Sequence, residues 1–135
     1  SKNLSLVQIK KEEDKVRGKI LIADDSLTTR VQIKRILELE GFEVELAYDG
    51  QDAYEKLINN NFQCLISDIE MPRMDGIQLV KKIKDSKWKS LPVILLTSLS
   101  SPEHVKAGLD AGAETYLIKS KFNRNDLLQI VKRYI

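Results

Sequence analysis

The sequence predicts a three-layer α/β protein, in which helices cover both faces of one five-stranded parallel sheet. Three observations support this prediction. Short apolar runs alternate with helical patterns five times along the chain. The run Cys64–Ile66 has no polar alternation, which is typical of a strand buried on both faces. Regular alternation of strand and helix favours parallel strands joined by helical crossovers.

Residues 1–18 form a polar, Lys- and Glu-rich start of the chain, and residues 19–135 form the predicted domain. The apolar residues of the first segment are too sparse to build a core, so we interpret it as an N-terminal linker or lead-in segment. A disordered lead-in fits the same composition. Because the chain does not begin with Met, we expect it to be part of a longer protein.

Composition argues against several classes of protein. Hydrophobic residues make up 42% of the 135 residues and charged residues 31%, as in ordinary globular domains. The net charge of +2 is too small to indicate a nucleic-acid-binding protein, and no apolar run is long enough to cross a membrane. The single cysteine, Cys64, cannot form an internal disulfide, which suits a reducing compartment. We therefore expect a cytoplasmic protein that binds neither nucleic acid nor membrane.

The first strand starts at Lys19 and ends in two carboxylates, Asp24 and Asp25. Ser26 or Asp25 is the predicted N-cap of the helix that follows, and Gly41 marks the end of that helix. The apolar stripe of the helix is only approximate and comprises Leu27, Val31, Lys34, Ile36 and Leu37.

Residues 42–47 alternate between apolar and polar types, which predicts a second strand at an edge of the sheet. The third strand ends at Asp68, the fourth at Thr97 and the fifth at Lys119. The helices after these strands are predicted to turn the following residues inward: Ala53, Leu57, Ile58, Ile77, Val80, Ile83, Val105, Leu109, Leu127, Leu128, Val131 and Ile135.

Polar side chains therefore collect where the strands end, at Asp24, Asp25, Asp68, Thr97 and Lys119. The carboxyl ends of parallel strands share one edge, where open α/β sheets bind their ligands. Three carboxylates in one crevice would repel one another and shift each other's pKa values. A divalent cation would relieve that repulsion, and oxygen donors favour Mg²⁺ over zinc. Together with an ammonium and a hydroxyl, the set predicts a phosphoryl site with Asp68 as the candidate nucleophile.

Each of these residues has a simpler interpretation when it is taken alone. Asp24 or Asp25 would be a helix cap, Thr97 a strand-end hydroxyl, and Lys119 a solvated loop charge. Only their joint occurrence, in this order along this alternation, favours the phosphoryl site. His104 is interpreted as a surface histidine.

The chain resembles the receiver domain of two-component signalling over nearly all of residues 19–135. The motifs that carry the resemblance are ILIADDS, SDIEMPRMDG, VILLTS and YLIKS, in the order and spacing of that family. The resemblance implies the flavodoxin-like strand order. It also implies a Mg²⁺-dependent reaction in which Asp68 accepts a phosphoryl group from the phosphohistidine of a histidine kinase. Such a domain promotes only its own phosphorylation and dephosphorylation.

By the same resemblance, Asp25, Asp68 and the backbone carbonyl of Glu70 would hold Mg²⁺, and Asp24 would act through water. Lys119 would pair with the phosphoryl or carboxylate oxygens. These roles are expectations from the family, residue by residue.

Thr97 and Tyr116 match the family's switch pair. The hydroxyl of Thr97 would move toward the phosphoryl group, and Tyr116 would turn into the space vacated beside the fourth strand. The implied output partner is a downstream signalling protein that binds the face formed by the fourth helix, the fifth strand and the fifth helix.

One position departs from the family pattern, because Ser120 follows Lys119 where receivers usually have Pro. A cis peptide bond there would cost about 3 kcal/mol or more without Pro, so its geometry is left open. The motifs are most similar to those of receivers fused C-terminally to chemotaxis-type hybrid histidine kinases. We therefore expect a switch or a phosphate sink in chemotaxis-like phosphorelay signalling.

Other classes compete with this interpretation. A flavodoxin-like cofactor binder shares the architecture, but three carboxylates would repel a flavin phosphate. An Asp-dependent phosphatase would have a second Asp two residues after its nucleophile, where this chain has Glu70. A DNA-binding response regulator is disfavoured because no helix-turn-helix follows the last helix. The remaining alternative is a non-phosphorylated receiver-like docking module of a larger signalling protein.

Overall fold

Five strands and five helices alternate in the computed structural model, which describes residues 17–98 and 102–135. The strands are β1 (Lys19–Ala23), β2 (Glu43–Ala47), β3 (Cys64–Asp68), β4 (Val93–Thr97) and β5 (Thr115–Ile118). The helices are α1 (Leu27–Leu39), α2 (Gly50–Asn59), α3 (Gly76–Lys84), α4 (Pro102–Ala111) and α5 (Arg124–Tyr134). The predicted lead-in segment lies outside the described residues, except for its last two.

All five strands are parallel, and their order in the sheet is β2-β1-β3-β4-β5. The predicted three-layer, flavodoxin-like α/β fold is therefore confirmed, with β2 at an edge as its alternating sequence indicated. The register brings Ala23 opposite Ser67, and Asp68 opposite Leu96. The strands consequently end level with one another, so the residues that follow them meet at one edge.

The sheet separates two hydrophobic cores. Helices α1 and α5 cover one face, where the core is formed mainly by Ile20, Ile22, Ile33, Leu37, Cys64, Ile66, Ile94, Leu96, Leu127 and Val131. Helices α2, α3 and the end of α4 cover the other face, where the core is formed mainly by Leu21, Leu57, Leu65, Leu79, Val80, Ile83, Val93 and Leu95. Burial on both faces explains why β1, β3 and β4 are almost entirely apolar.

Helix α1 buries a different face from the predicted one. Ile33 and Leu37 are fully buried, whereas Leu27 and Val31 are 64% and 53% exposed. Both pairs have the four-residue spacing of a helix face, but the second pair follows the first by six residues and lies about 120° from it around the axis. The predicted stripe is therefore wrong at Leu27 and Val31 but right at Leu37, because packing against the sheet selected a face that is rotated toward Ile33.

Three more residues predicted to face inward are exposed: Ile58, Leu109 and Ile135. The others predicted for α2 to α5 are buried or half-buried. Each exception lies at the margin of its helix's apolar stripe or near a helix end, where a small rotation of the helix changes the exposure of the side chain.

Candidate functional site

Three carboxylates meet at the carboxyl edge of the sheet. One oxygen each from Asp24, Asp25 and Asp68 lies within 4.8 Å of the others. Asp24 is fully buried, Asp68 is 5% exposed, and Asp25 is exposed at the mouth of the site. The predicted convergence of these residues is therefore present, although only Asp25 is open to solvent.

Lys119 lies between the two buried carboxylates. Its Nζ is 2.6 Å from Oδ2 of Asp24 and 3.0 Å from Oδ2 of Asp68. Burial by itself would lower the pKa of Lys119, but the ion pairs with Asp24 and Asp68 outweigh burial, and the pKa is raised. The lysine therefore stays charged beside Asp68.

The carboxyl group of Asp68 is hard to ionise while no cation other than Lys119 is near. Burial, followed by the negative charge of Asp24, raises the pKa of Asp68 from 3.8 to about 6, although its hydrogen bond with Lys119 opposes the rise. Asp25 adds a weaker repulsion. The site thus holds more negative charge than one ammonium neutralises.

Local structure fixes the direction of Asp24. Its Oδ1 accepts the backbone N–H of Ser26 at 2.8 Å, and its carbonyl accepts a hydrogen bond from Arg30 at 2.6 Å. Ser26 is the N-cap of α1 and accepts the N–H of Thr29. Because Ser26 caps the helix, neither carboxylate at the end of β1 is used as the cap.

The donor set fits a hard divalent cation. The three carboxylates supply only oxygen, which is the ligand type that Mg²⁺ prefers. The buried Oδ2 of Asp24 contacts Lys119, but no donor in the described part of the chain is aligned with it for a hydrogen bond. A bound cation or its water would satisfy that oxygen and lower the repulsion within the cluster.

The β3–α3 loop leaves the site along a tightly packed path. The N–H of Ile69 donates to the carbonyl of Leu96 at 3.0 Å, and the N–H of Gly76 donates to the carbonyl of Ile69 at 2.8 Å. A Cβ at Gly76 would overlap the carbonyl oxygen of Asp68, so only glycine allows this approach. Glu70 is an exposed residue of this loop.

A cavity of about 540 Å³ opens beside the carboxylates. Its lining includes Asp25, Glu70 and His104. His104 is exposed, as the sequence suggested, but the structure also places it at this cavity, which local sequence patterns did not indicate. It comes from α4, more than thirty residues after Glu70, so only the packing of α4 brings the two to one opening.

Thr97 and Tyr116 lie on neighbouring strands on one face of the sheet. Thr97 is buried at the end of β4, and Tyr116 is 38% exposed on β5, opposite Leu95 in the register. Tyr116 lines a groove with Val105 and Leu109 of α4. The structure thus holds a buried threonine and a partly exposed tyrosine on neighbouring strands.

The Lys119–Ser120 peptide bond is trans, since no peptide bond in residues 17–98 and 102–135 is cis. The N–H of Lys119 donates to the carbonyl of Thr97 at 2.8 Å. This bond holds the lysine at the end of β5, and its side chain reaches both buried carboxylates without a proline after it.

Comparison with known proteins points to one family. A family model described as response regulator receiver domain matches residues 20–132. The chain is 38% identical over 118 residues to the gliding motility regulatory protein of Myxococcus xanthus, and 37% identical over 113 residues to the transcriptional regulatory protein SrrA of Staphylococcus aureus. These alignments cover 87% and 84% of the chain, but only 15% and 46% of the two relatives.

Solved structures agree with this assignment. The chemotaxis protein CheY4 of Vibrio cholerae is 37% identical with a TM-score of 0.80, and the match covers 87% of this chain and 98% of that one. The signal receiver domain of a histidine kinase from Syntrophus aciditrophicus is also 37% identical, with a TM-score of 0.81 and coverage of 87% and 89%.

Among the described helices, none has both the length and the apolar character needed to cross a membrane.

Proposed function

The chain belongs to the response regulator receiver domain family, and we propose that it is a phosphoacceptor in which Asp68 takes a phosphoryl group from the phosphohistidine of a histidine kinase. The observation that carries the proposal is the position of Asp68. Its carboxylate lies 3.0 Å from the ammonium of Lys119, in a cluster of three carboxylates beside an open cavity. Receiver domains are generally signalling modules and not enzymes acting on other substrates.

The proposed step is an exchange of one bond for another. A carboxylate oxygen of Asp68 attacks the phosphorus, and the P–N bond to the donor imidazole breaks. The electron pair of that bond stays on the imidazole nitrogen, which takes up a proton, and Asp68 becomes an acyl phosphate. Lys119 stays beside the reacting oxygens, where its charge opposes the negative charge on the transferred group.

Asp25, Asp68 and the backbone carbonyl of Glu70 are the proposed ligands of Mg²⁺, with Asp24 acting through water. When bound, the cation would neutralise charge on the carboxylates and on the phosphoryl oxygens. The three carboxylates would otherwise repel an incoming phosphoryl group, because Lys119 is the one cation that the described residues place between Asp24 and Asp68. Phosphorylation should therefore require Mg²⁺.

Phosphorylation would be sensed by Thr97 and Tyr116. A phosphoryl group adds negative charge and strong acceptor oxygens, toward which the hydroxyl of Thr97 would move while Tyr116 turns inward. The groove beside Tyr116 would then change shape, and we propose that a downstream signalling protein binds the face formed by α4, β5 and α5. Receiver domains generally act between histidine kinases and such effectors.

The context of the domain is a further part of the proposal. Because the chain spans less than half the length of either curated relative, we propose residues 19–135 as one receiver domain of a larger cytoplasmic signalling protein, preceded by a linker. A chemotaxis-type hybrid kinase is the proposed context, with the donor kinase acting in cis or in trans.

The test is the intact mass of the chain after incubation with acetyl phosphate. We expect one added phosphoryl group on the parent, none without Mg²⁺ and none on Asp68→Asn. Asp85→Asn, at an exposed position at the end of α3, is the matched control and should be phosphorylated normally.

A parent that gains no mass would have two explanations, so beryllium fluoride, a mimic of the phosphoryl group, is added to a second sample with Mg²⁺. Binding of this mimic would point to rapid hydrolysis of the acyl phosphate. If the parent neither gains mass nor binds the mimic, the phosphoacceptor function is excluded, and a docking module remains.

A further inference from the structure

A third buried carboxylate, Asp49, lies at the same end of the sheet but outside the acidic cluster. It is fully buried at the N-terminus of α2, where its Oδ1 accepts the N–H of Asp52 at 2.8 Å. Its Oδ2 is paired with the guanidinium of Arg73. Removing Arg73 would leave this buried carboxylate without its charged partner, which is costly.

Arg73 belongs to the β3–α3 loop, five residues after Asp68. Its backbone has φ of 65°, a left-handed conformation that is unfavourable for an arginine. Its guanidinium also lies over the ring of Tyr48, 5.3 Å from the centroid. Arg73 keeps this unfavourable backbone conformation while its side chain reaches from the loop to α2. We attribute this to the contacts that its guanidinium makes with Asp49 and Tyr48.

The next loop residue makes a second tie to the same place. The carbonyl of Met74 accepts the N–H of Gly50 at 3.0 Å. A Cβ at Gly50 would overlap that carbonyl, so the loop and the start of α2 are in direct backbone contact. Two consecutive residues of the loop are therefore attached to the first turn of α2, one by charge and one by its backbone.

These contacts link the segments that follow the two neighbours of β1 in the sheet. Strand β1, which supplies Asp24 and Asp25, lies between β2 and β3 in the sheet. Asp49 follows β2 and Arg73 follows β3, so their ion pair joins the two strands that flank β1. Glu70, whose carbonyl is a proposed ligand of Mg²⁺, lies on the segment between Asp68 and Arg73.

We infer that Arg73 is a positioning residue for the metal site, because its ion pair with Asp49 holds the β3–α3 loop, whose residue Glu70 lines the cavity beside Asp25. This inference rests on the proposed Mg²⁺-dependent function. Arg73 itself touches neither the metal nor the phosphoryl group in this arrangement. It acts through the loop, as outer residues that orient the ligands of a metal do in other proteins.

The test compares Mg²⁺ affinity of the full 135-residue chain by isothermal titration calorimetry, in the parent and in Arg73→Asn. Asparagine tolerates the left-handed conformation, so the variant removes the guanidinium without disfavouring the loop backbone. We expect the affinity for Mg²⁺ to fall about tenfold or more. The rate of phosphorylation by acetyl phosphate at saturating Mg²⁺ should stay within about twofold of the parent, because Asp68 and Lys119 are unchanged.

Two further variants make the comparison specific. Asp49→Asn removes the ion pair from the other side while an amide oxygen can still cap α2, so it should reproduce the loss of affinity even if Arg73→Asn folds poorly. Lys56→Ala is the control, because it removes one positive charge, as Arg73→Asn does. Lys56 also lies over the ring of Tyr48, at 6.0 Å, but it pairs with Asp52 within α2 and not with Asp49. Its affinity for Mg²⁺ should equal that of the parent.

The outcomes separate this inference from the function on which it rests. Affinity within twofold of the parent in Arg73→Asn and Asp49→Asn, with only a lower melting temperature, would assign the ion pair to stability alone and overturn the inference. A parent chain that binds no Mg²⁺ would overturn the proposed function, and the inference with it.

Discussion

The Nζ of Lys119 lies 2.6 Å from Oδ2 of Asp24 and 3.0 Å from Oδ2 of Asp68. The ammonium of the residue directly after β5 thus pairs with two buried carboxylates, one directly after β1 and one at the end of β3. Since Asp25 adds a third negative charge within the cluster, Lys119 cannot neutralise the site alone. This imbalance underlies the first two predictions, one on the lysine and one on pH.

Lys119→Met should destabilise the metal-free protein by about 3 kcal/mol or more, because two buried carboxylates lose their cation. Mg²⁺ should recover more of the free energy of unfolding in the variant than in the parent, since the site then holds more uncompensated charge. Urea unfolding with Mg²⁺ and with EDTA measures both effects. The control is Lys121→Met, an exposed lysine two residues later, which should change stability little; equal losses in the two variants would contradict the assigned role of Lys119.

Stability of the metal-free protein should fall as the pH rises between 3.8 and about 6. The pKa of Asp68 is raised over that interval in the folded protein, so the folded state binds the proton more tightly than the unfolded chain and loses that advantage on ionisation. The full effect is roughly 3 kcal/mol. Urea unfolding in EDTA from pH 3.5 to 7 should show a steeper fall for the parent than for Asp68→Asn, and parallel curves would refute the assignment.

Gly76→Ala should be among the most damaging substitutions in the chain, costing about 3 kcal/mol. Its Cβ would meet the backbone carbonyl of Asp68, which cannot move without disturbing the site. Gly108→Ala is the comparison, because the atom that it meets is the end of the Leu95 side chain and alanine favours the helix by about 1 kcal/mol. Chemical denaturation should show a clearly smaller loss of unfolding free energy for Gly108→Ala than for Gly76→Ala. Similar losses would mean that the carbonyl of Asp68 can shift to accommodate the added methyl group.

Tyr116 should become less accessible when Asp68 carries a phosphoryl group or its beryllium fluoride mimic. Nitration of tyrosine, located by mass spectrometry, measures this with and without the mimic. Tyr48, which is also exposed but lies on the α2 side, should react equally in both states.

Thr97→Ala should separate binding of the mimic from burial of Tyr116. In this variant Tyr116 should stay reactive toward nitration although the mimic is bound. Protection of Tyr116 in Thr97→Ala would show that the tyrosine responds without the hydroxyl.

The residues of the site were predictable because of a regularity in parallel sheets. The apolar strands β1, β3 and β4 end where polar residues begin, and the carboxyl ends of parallel strands lie at one edge of the sheet. Asp24, Asp25, Asp68, Thr97 and Lys119 could therefore be placed together without any knowledge of distances. Their roles in phosphorylation and switching stay predictions for the experiments above.

The face of α1 could not be chosen in the same way. Leu27 with Val31 and Ile33 with Leu37 satisfy helical spacing equally well, and the two pairs lie about 120° apart around the helix axis. Local periodicity has no means to select between them. The choice depends on which pair fits against the sheet and α5.

The sequence by itself determined the order of the elements, the parallel sheet and the side chains that arrive at its carboxyl edge, because these follow from local patterns of polarity. Tertiary structure decided which charges meet. Lys119 is shared by Asp24 and Asp68, Arg73 reaches Asp49, and His104 lines the cavity because helices and loops distant in the chain pack together. Burial and charge pairing depend on those distances, and the raised pKa of Asp68 depends on them in turn.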